Sequence, residues 1–421
     1  MSEKFIIQGE KTLKGEVEIR GYKNAAGAIL AASLLTDKEI ILDNLPLVED
    51  IFNIIEVLKS IGVKVEWRGE RSLKVRADSI VPDKMDFEKI SKTRVSVLLI
   101  GSLLTRCKNF KISHPGGDRI GLRPILTHIE ALKKLGVEVL EDGDFYEFTA
   151  SNLTGKNIVL KEFSVTATEN LMMAAVLSKG KTIIKAAAAE PQVQDLGEML
   201  KKMGAKIDGV GTHTIEIEGV KNLDGVSHRI VPDPLEAGTF ILAGAVAPGE
   251  IRIKNVVFDH LDVFLDKLEE IGVGLKRDSE SSIVVKYSPH LKAVRVQALP
   301  YPGFPTDLLP TLIPLLTQAE GKSLIHDPLY ENRLNFTQEL RKMGADIEIV
   351  DPHRAFVFGK TPLKGLRIES WDIRAGASLI IAGLLARGQT TIENIYQIDR
   401  GYEKIDERLQ ELGADIKRVK S

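Results

Sequence analysis

A single cysteine, Cys107, stands in 421 residues. That excludes an internal disulfide framework and any zinc site built on cysteine, and it is the usage expected in a reducing compartment. No long basic run occurs and the net charge is only −2, so a nucleic-acid or membrane-surface footprint is not expected. Apolar runs such as residues 95–104 fall short of the roughly 20 residues that span a bilayer. The start, Met1-Ser2-Glu3-Lys4 followed by Phe5-Ile6-Ile7, shows no signal-peptide apolar region. These absences together point to a soluble, cytoplasmic protein whose partners are small molecules. An apolar content of 43% is enough for a large core, and the length suggests two or more domains.

What is present is repetition. A Leu-x-x-apolar-Gly pattern recurs at Leu58/Gly62, Leu132/Gly136, Leu200/Gly204, Leu268/Gly272, Leu340/Gly344 and Leu409/Gly413, with a period of roughly seventy residues. In each copy the glycine closes an amphipathic segment and precedes alternating residues such as Val63-Lys64-Val65-Glu66-Trp67, which reads as a surface helix ended by a C′ glycine and then a strand. Upstream of each copy lies a more apolar helix, starting near Lys23, Arg94, Thr166, Asp233, Asp307 and Asp372. These segments are rich in Ala, Gly, Leu and Ile on all sides, so they are expected in the interior, surrounded by sheet. The repeat is then strand, buried helix, strand, surface helix, strand. Six copies make an α/β protein of two domains with three βαβαβ-type repeats each, joined within residues 219–232.

Two places concentrate chemistry. Residues 113–124, Ser-His-Pro-Gly-Gly-Asp-Arg-Ile-Gly-Leu-Arg-Pro, carry Asp118, Arg119 and Arg123 on a backbone loosened by Gly116, Gly117 and Gly121, as a lid or substrate loop would. Taken alone, the stretch is also what a solvated turn looks like. The second place is the set of starts of the buried helices. Asp233, Asp307, Asp372 and Ser164 sit where ordinary N-caps sit. Lys23, Arg94 and Arg374 do not, because a cation at a helix N-terminus opposes the macrodipole and calls for an anionic partner. Helix starts pointing the same way in each domain would offer amide donors and cations to a polyanionic ligand. Arg333 and Arg400 occupy the repeat slot that Arg123 occupies, which is more than scattered surface arginines would do.

At this point the residues resemble the enolpyruvyl transferases, and within them the branch whose acceptor is UDP-N-acetylglucosamine. The resemblance covers essentially the whole chain. It rests on Gly21-Tyr22-Lys23-Asn24-Ala25-Ala26, Pro115-Gly116-Gly117-Asp118 with Gly121-Leu122-Arg123-Pro124, Phe304-Pro305-Thr306-Asp307, Glu331-Asn332-Arg333, Asp372-Ile373-Arg374-Ala375 and Asp399-Arg400-Gly401-Tyr402-Glu403. It implies a two-domain inside-out α/β barrel. Residues 1–21 would join 230–421 in one domain, and 22–229 would form the other and carry the 113–124 loop. The implied reaction moves the enolpyruvyl group of phosphoenolpyruvate to the 3′-hydroxyl of UDP-N-acetylglucosamine with release of phosphate, the first committed step towards peptidoglycan.

By the same resemblance Lys23, Arg123 and Arg400 would hold the phosphate of phosphoenolpyruvate, with Asn24 alongside and Arg333 and Arg374 lining the anionic site. Asp307 would take the proton from the sugar hydroxyl, and Lys23 and Asp118 would complete the catalytic set. Arg94, Arg123, Pro124, Ile125, Leu126, Thr127, Ser164, Val165, Asp307 and Leu329 would contact UDP-N-acetylglucosamine. The chemistry needs a general acid for the methylene carbon and cations for the developing charge, and Asp118 can be that acid if desolvation raises its pKa. Neither a metal nor a cofactor is expected, because Lys23 and the arginines already neutralise the anion.

The chain departs from the family pattern at several positions. Asp118 stands where many members have cysteine, so no thiol adduct can form there. Leu126 and Thr127 replace an Asp-Leu pair, Glu162 replaces a lysine, and Pro234 replaces an arginine, all towards the nucleotide end of the substrate. Two other readings are an enolpyruvylshikimate phosphate synthase, whose Gly-Asn-Ala-Gly-Thr-like phosphate loop is absent here, and a catalytically silent paralogue that binds a nucleotide sugar. Retention of Asp118 and Asp307 argues against silence. His114 and His128 flank the loop and receive no role.

Overall fold

The computed structural model describes residues 3–117, 120–121 and 123–420. The chain divides into a middle unit, Gly21–Gly117 with Arg123–Val231, and a terminal unit, Met1–Arg20 with Asp118–Leu122 and Pro232–Ser421.

Each unit is built around three buried helices. In the middle unit these are α1 (Lys23–Ala32), α2 (Leu99–Arg106) and α3 (Val165–Ala175); in the terminal unit, α4 (Pro234–Val246), α5 (Leu309–Leu316) and α6 (Ile373–Leu385). Every residue of α4 is buried, as is all of α6 except Leu385, so neither helix has a polar face to give to water. In the terminal unit α4, α5 and α6 pack on one another and each also packs on strands. Helices inside and sheets outside is the inside-out barrel, three repeats to a unit.

The sheets repeat one topology. In the middle unit Ser227–Arg229 runs parallel to Glu39–Asp43, which pairs antiparallel with Ser72–Arg76, which pairs antiparallel with Lys64–Gly69. Ile40 lies opposite Val75 and Leu42 opposite Leu73, all four buried, so the period of two puts one face of the sheet on the helices. Asn157–Val159, Lys181–Lys185, Thr214–Glu218 and Lys206–Asp208 repeat that order. The sheet of Asn109–Ser113, Phe145–Ala150 and Val137–Asp142 has three strands among the described residues. In the terminal unit the sheet formed by Arg367–Glu369, Gln389–Glu393 and Asp415–Lys420 takes Glu3–Gln8 as its inner strand, antiparallel to both neighbours.

The repeat read from the sequence closes on a hairpin rather than a single strand, because two strands follow each surface helix in most copies. The helix ends agree with the pattern of glycines. Gly62, Gly136, Gly204, Gly272, Gly344 and Gly413 all have φ between +95° and +105°, a region that a residue with a Cβ resists. Two buried helices begin later than Arg94 and Asp307 suggest. Arg94–Leu98 and Thr306–Leu308 are single 3₁₀ segments that lead into α2 and α5. Among the described residues no helix is long and apolar enough to cross a membrane.

Candidate active site

In the terminal unit the starts of the buried helices carry a network of charge. Asp233 caps α4, its Oδ1 accepting from the N–H groups of Leu235 and Glu236 at 2.8 and 3.2 Å. Asp372 caps α6, its Oδ1 accepting from Arg374 and Ala375 at 2.8 and 2.9 Å. Asp307 does not cap α5. It lies inside the 3₁₀ turn, where its carboxylate faces two guanidinium groups instead of helix amides: Arg333 Nη2 donates to Oδ1 at 2.8 Å and Arg374 Nε to Oδ2 at 3.2 Å.

The Asp307 side chain keeps 27% of its surface exposed, whereas Arg333 and Arg374 are buried. That exposed part is where a hydroxyl could approach the carboxylate. Arg333, which the repeat position already set apart from scattered surface arginines, is buried. Burial works against its charge, but the carboxylates of Asp307, Asp372 and Asp327 outweigh burial and hold the guanidinium above its ordinary pKa. Its guanidinium also lies 4.8 Å from the Tyr330 ring centre, and that of Arg374 lies 5.3 Å from Tyr402.

Arg400 is likewise buried and donates to Gln397 Oε1 at 2.9 Å. The segment before it is anchored by Arg418, whose Nη1 and Nη2 donate to Asp399 at 2.8 Å each. Leu329 is exposed at the head of the loop that carries Arg333. Burial raises Asp233 to about 6; Arg374 opposes that rise and Glu236 adds to it.

The middle unit carries a set of its own. Lys23, the first residue of α1, donates from Nζ to Asp50 Oδ2 at 2.9 Å, with side-chain exposures of 9% and 3%. The anion that its helix-start position calls for is therefore supplied in part by the protein. Asn24 Nδ2 reaches Tyr22 Oη at 3.3 Å. Gly117, at φ +119°, lies between Arg94 and the Arg123 guanidinium, where an added Cβ would stand 2.6 Å from Arg123 Nη2 and 3.0 Å from Arg94 Cβ. The loop stem thus brings Arg94 and Arg123 together.

Beyond Pro124 and the buried Ile125, Leu126 is exposed at the start of the helix Leu126–Lys134. Thr127 Oγ1 donates to Glu162 Oε1 at 2.8 Å, so two of the positions that depart from the family pattern meet each other. Ser164 caps α3 through Ala167, and Val165 opens that helix. His128 Nε2 bonds Thr166 Oγ1 at 2.8 Å; burial, helped by Arg94, pushes its pKa down to about 3 and keeps it neutral. Asp118 lies outside the described residues.

Each unit has parts suited to such chemistry: the terminal unit carries several buried arginines and one partly exposed carboxylate held by two of them, and the middle unit carries a lysine paired with a buried carboxylate. Comparison with known proteins identifies the lineage. A family model described as EPSP synthase (3-phosphoshikimate 1-carboxyvinyltransferase) matches residues 7–409. The chain belongs to this family of enolpyruvyl transferases. Within the family it is 43% identical over 420 residues to the UDP-N-acetylglucosamine 1-carboxyvinyltransferase of Koribacter versatilis (strain Ellin345), covering 99% of this chain and 96% of that one. It is 44% identical over 418 residues to UDP-N-acetylglucosamine 1-carboxyvinyltransferase 2 of Carboxydothermus hydrogenoformans (strain ATCC BAA-161 / DSM 6008 / Z-2901), covering 99% of each. Among solved structures, the enolpyruvyl transferase NikO from Streptomyces tendae matches at a TM-score of 0.91 with 24% identity over 100% of this chain and 99% of that one. EPSP synthase from Acinetobacter baumannii matches at 0.77 with 18% identity and full coverage of both chains. These structural likenesses show the enolpyruvyl transferase fold.

The sequence alone does not single out Asp50 or Asp327, and it shows Thr306 only as part of the Phe304-Pro305-Thr306-Asp307 motif. Asp50 sits in the first turn of an amphipathic helix, where an acidic residue looks like an ordinary partner of the dipole. Nothing in the spacing ties it to Lys23. Asp327 follows a strand and precedes a proline, and so reads as turn.

Proposed function

We propose that the protein transfers the enolpyruvyl, or 1-carboxyvinyl, group of phosphoenolpyruvate to the 3′-hydroxyl of UDP-N-acetylglucosamine and releases inorganic phosphate, the first committed step of peptidoglycan synthesis. The observation that carries the reading is Asp307 with one guanidinium on each oxygen, in a chain 43–44% identical over nearly its whole length to enzymes named for this transfer.

The steps follow from charge. Asp307 takes the proton of the attacking hydroxyl while the new C–O bond forms at C2 of phosphoenolpyruvate, and Asp118 gives a proton to the methylene carbon. Lys23, Arg123 and Arg400 hold the phosphate, with Asn24 beside them, and Arg333 and Arg374 neutralise the remaining charge of the tetrahedral adduct. Loss of phosphate and return of a proton from the methyl group then regenerate the enol ether on the sugar. Arg94, the residues from Arg123 to Thr127, Ser164, Val165 and Leu329 hold the nucleotide sugar. The enzyme acts in the cytoplasm on two soluble phosphorylated substrates and feeds wall assembly, and through it cell shape and division.

The test is phosphate release from phosphoenolpyruvate with either UDP-N-acetylglucosamine or shikimate 3-phosphate as acceptor. Turnover with the nucleotide sugar alone is expected. Turnover only with shikimate 3-phosphate would move the chain to the other branch of the family, and turnover with neither would leave a nucleotide-sugar-binding protein.

A further inference from the structure

One carboxylate close to Asp307 has no part in the scheme above. Asp327 is completely buried, directly after the strand Ala319–His326. Its Oδ2 accepts from Thr306 Oγ1 at 2.6 Å, and its Oδ1 accepts from the N–H groups of Leu329 and Tyr330 at 2.9 and 3.3 Å. Arg333 Nε stands 3.7 Å from Oδ2. The backbone is clamped as well: Asp327 N–H donates to His353 O at 2.8 Å, and His353 Nδ1 donates to Asp327 O at 2.7 Å. Asp351 Oδ1 in turn accepts from His353 N–H at 2.9 Å. A buried carboxylate is costly to keep, and here each oxygen is matched with a donor.

The partners of Asp327 are the neighbours of the proposed base. Thr306 immediately precedes Asp307, and Arg333 donates to Asp307. We propose that Asp327 is a positioning residue of the transfer reaction, fixing Asp307 from one side through the Thr306 hydroxyl and from the other through Arg333. This rests on the reading of Asp307 as the group that takes the acceptor's proton.

Arg333 is buried and faces Asp307, Asp372, Asp327 and the Tyr330 ring, while Asp307 faces Arg333 and Arg374. Asp327 places beside Arg333 a carboxylate that has no exposed surface and cannot meet substrate. Asp307 is thereby spared from serving only as the counter-ion of Arg333, and its exposed part is left to face the hydroxyl. Three hydrogen bonds to neutral groups could be satisfied by an asparagine. The charge next to Arg333 could not.

Asp327→Asn therefore separates the two roles, since the amide oxygen keeps an acceptor for the Leu329 and Tyr330 N–H groups and the amide nitrogen can donate to Thr306 Oγ1 in a reversed bond, while the charge is removed. The expected result is a folded protein whose kcat falls about a hundredfold, the loss that a small misplacement in a site can cause, with KM for both substrates changed by less than about threefold. A kcat within about twofold of the parent, or a rise in both KM values that matches the fall in kcat, would each overturn the proposal. If Asp327→Asn does not fold, Thr306→Val removes one of its bonds alone; about a tenfold fall in kcat is then expected, and an unchanged kcat overturns the proposal. Asp307→Ala by itself keeps the two questions apart. Retained turnover there overturns the role given to Asp307, whereas abolished turnover with a fully active Asp327→Asn overturns only the inference about Asp327.

Discussion

Lys23 is both a proposed ligand of phosphate and half of a buried ion pair, so its removal has two effects that can be measured apart. Lys23→Ala leaves Asp50 buried without its cation, which costs about 3–5 kcal/mol. It also weakens phosphoenolpyruvate binding far more than nucleotide-sugar binding. Replacing the pair together, as Lys23→Met with Asp50→Leu, is expected to restore most of the stability and none of the phosphoenolpyruvate affinity. Equal weakening of both substrates would put Lys23 in the wrong subsite.

His128 gives a second prediction at this scale. Its folded-state pKa of about 3 lies below the ordinary value, so below pH 6.5 the unfolded chain takes up a proton there and the folded chain does not. Stability is lost as pH falls, by about 1.4 kcal/mol per unit between pH 6.5 and 3. Asp233 works in the opposite direction: with its value raised to about 6, its contribution is full below the unfolded carboxylate range and is lost as pH rises through 6. Comparing the parent with His128→Gln cancels Asp233. Urea unfolding of the middle unit at pH 7.5 and 5.0 is expected to show the parent losing about 2 kcal/mol more than the variant. Identical pH dependence would mean that His128 is charged in the folded state.

At the scale of elements, the surface helices were legible because their ends are a matter of backbone chemistry. A glycine at positive φ after an amphipathic run has few other uses, and all six glycines of the pattern adopt that conformation. The buried helices were legible for the complementary reason, since a segment without a polar face has to be enclosed. What could not be read was where the helix starts turn their side chains. Asp307 and Asp372 look alike in sequence, yet one is claimed by two arginines and the other by two amides. That choice is made by tertiary neighbours such as Arg333, which lies 26 positions away.

The packing of the buried helices yields a prediction too. Gly101 of α2 lies so close to α3 that an added Cβ would stand 2.4 Å from the carbonyl oxygen of Asn170 and 2.8 Å from its Cα. Asn170 also accepts from Gly101 N–H through Oδ1 at 2.6 Å and donates to Val97 O at 3.1 Å. Backbone cannot step aside as a flexible side chain can. Gly101→Ala is expected to cost about 1–3 kcal/mol, measured by thermal unfolding, and an unchanged midpoint would show that the two helices can separate freely.

On the scale of the whole molecule, the internal repetition makes each unit three similar pieces, and the strand Glu3–Gln8 completes one of them from a distance. Phe5 and Ile7 are fully buried, and the Arg418 guanidinium lies 4.9 Å from the Phe5 ring centre. Deleting residues 1–9 forfeits about 3–6 kcal/mol from those two side chains alone and opens the sheet on both sides of the gap. The terminal unit is expected to lose its cooperative transition in circular dichroism while the middle unit keeps its own. A truncated protein that melts like the parent would show the strand to be dispensable.

The same strand sets an order of events at the ribosome. The chain beyond Val231 belongs to the terminal unit, so the middle unit can fold before that chain has been made. Glu3 is held by Arg418, 415 positions later. At elongation rates of about 5–20 residues per second, the strand Glu3–Gln8 waits on the order of tens of seconds for that neighbour. For that interval it is open to chaperones, and to the matching gap in another copy whose own first strand has not yet docked.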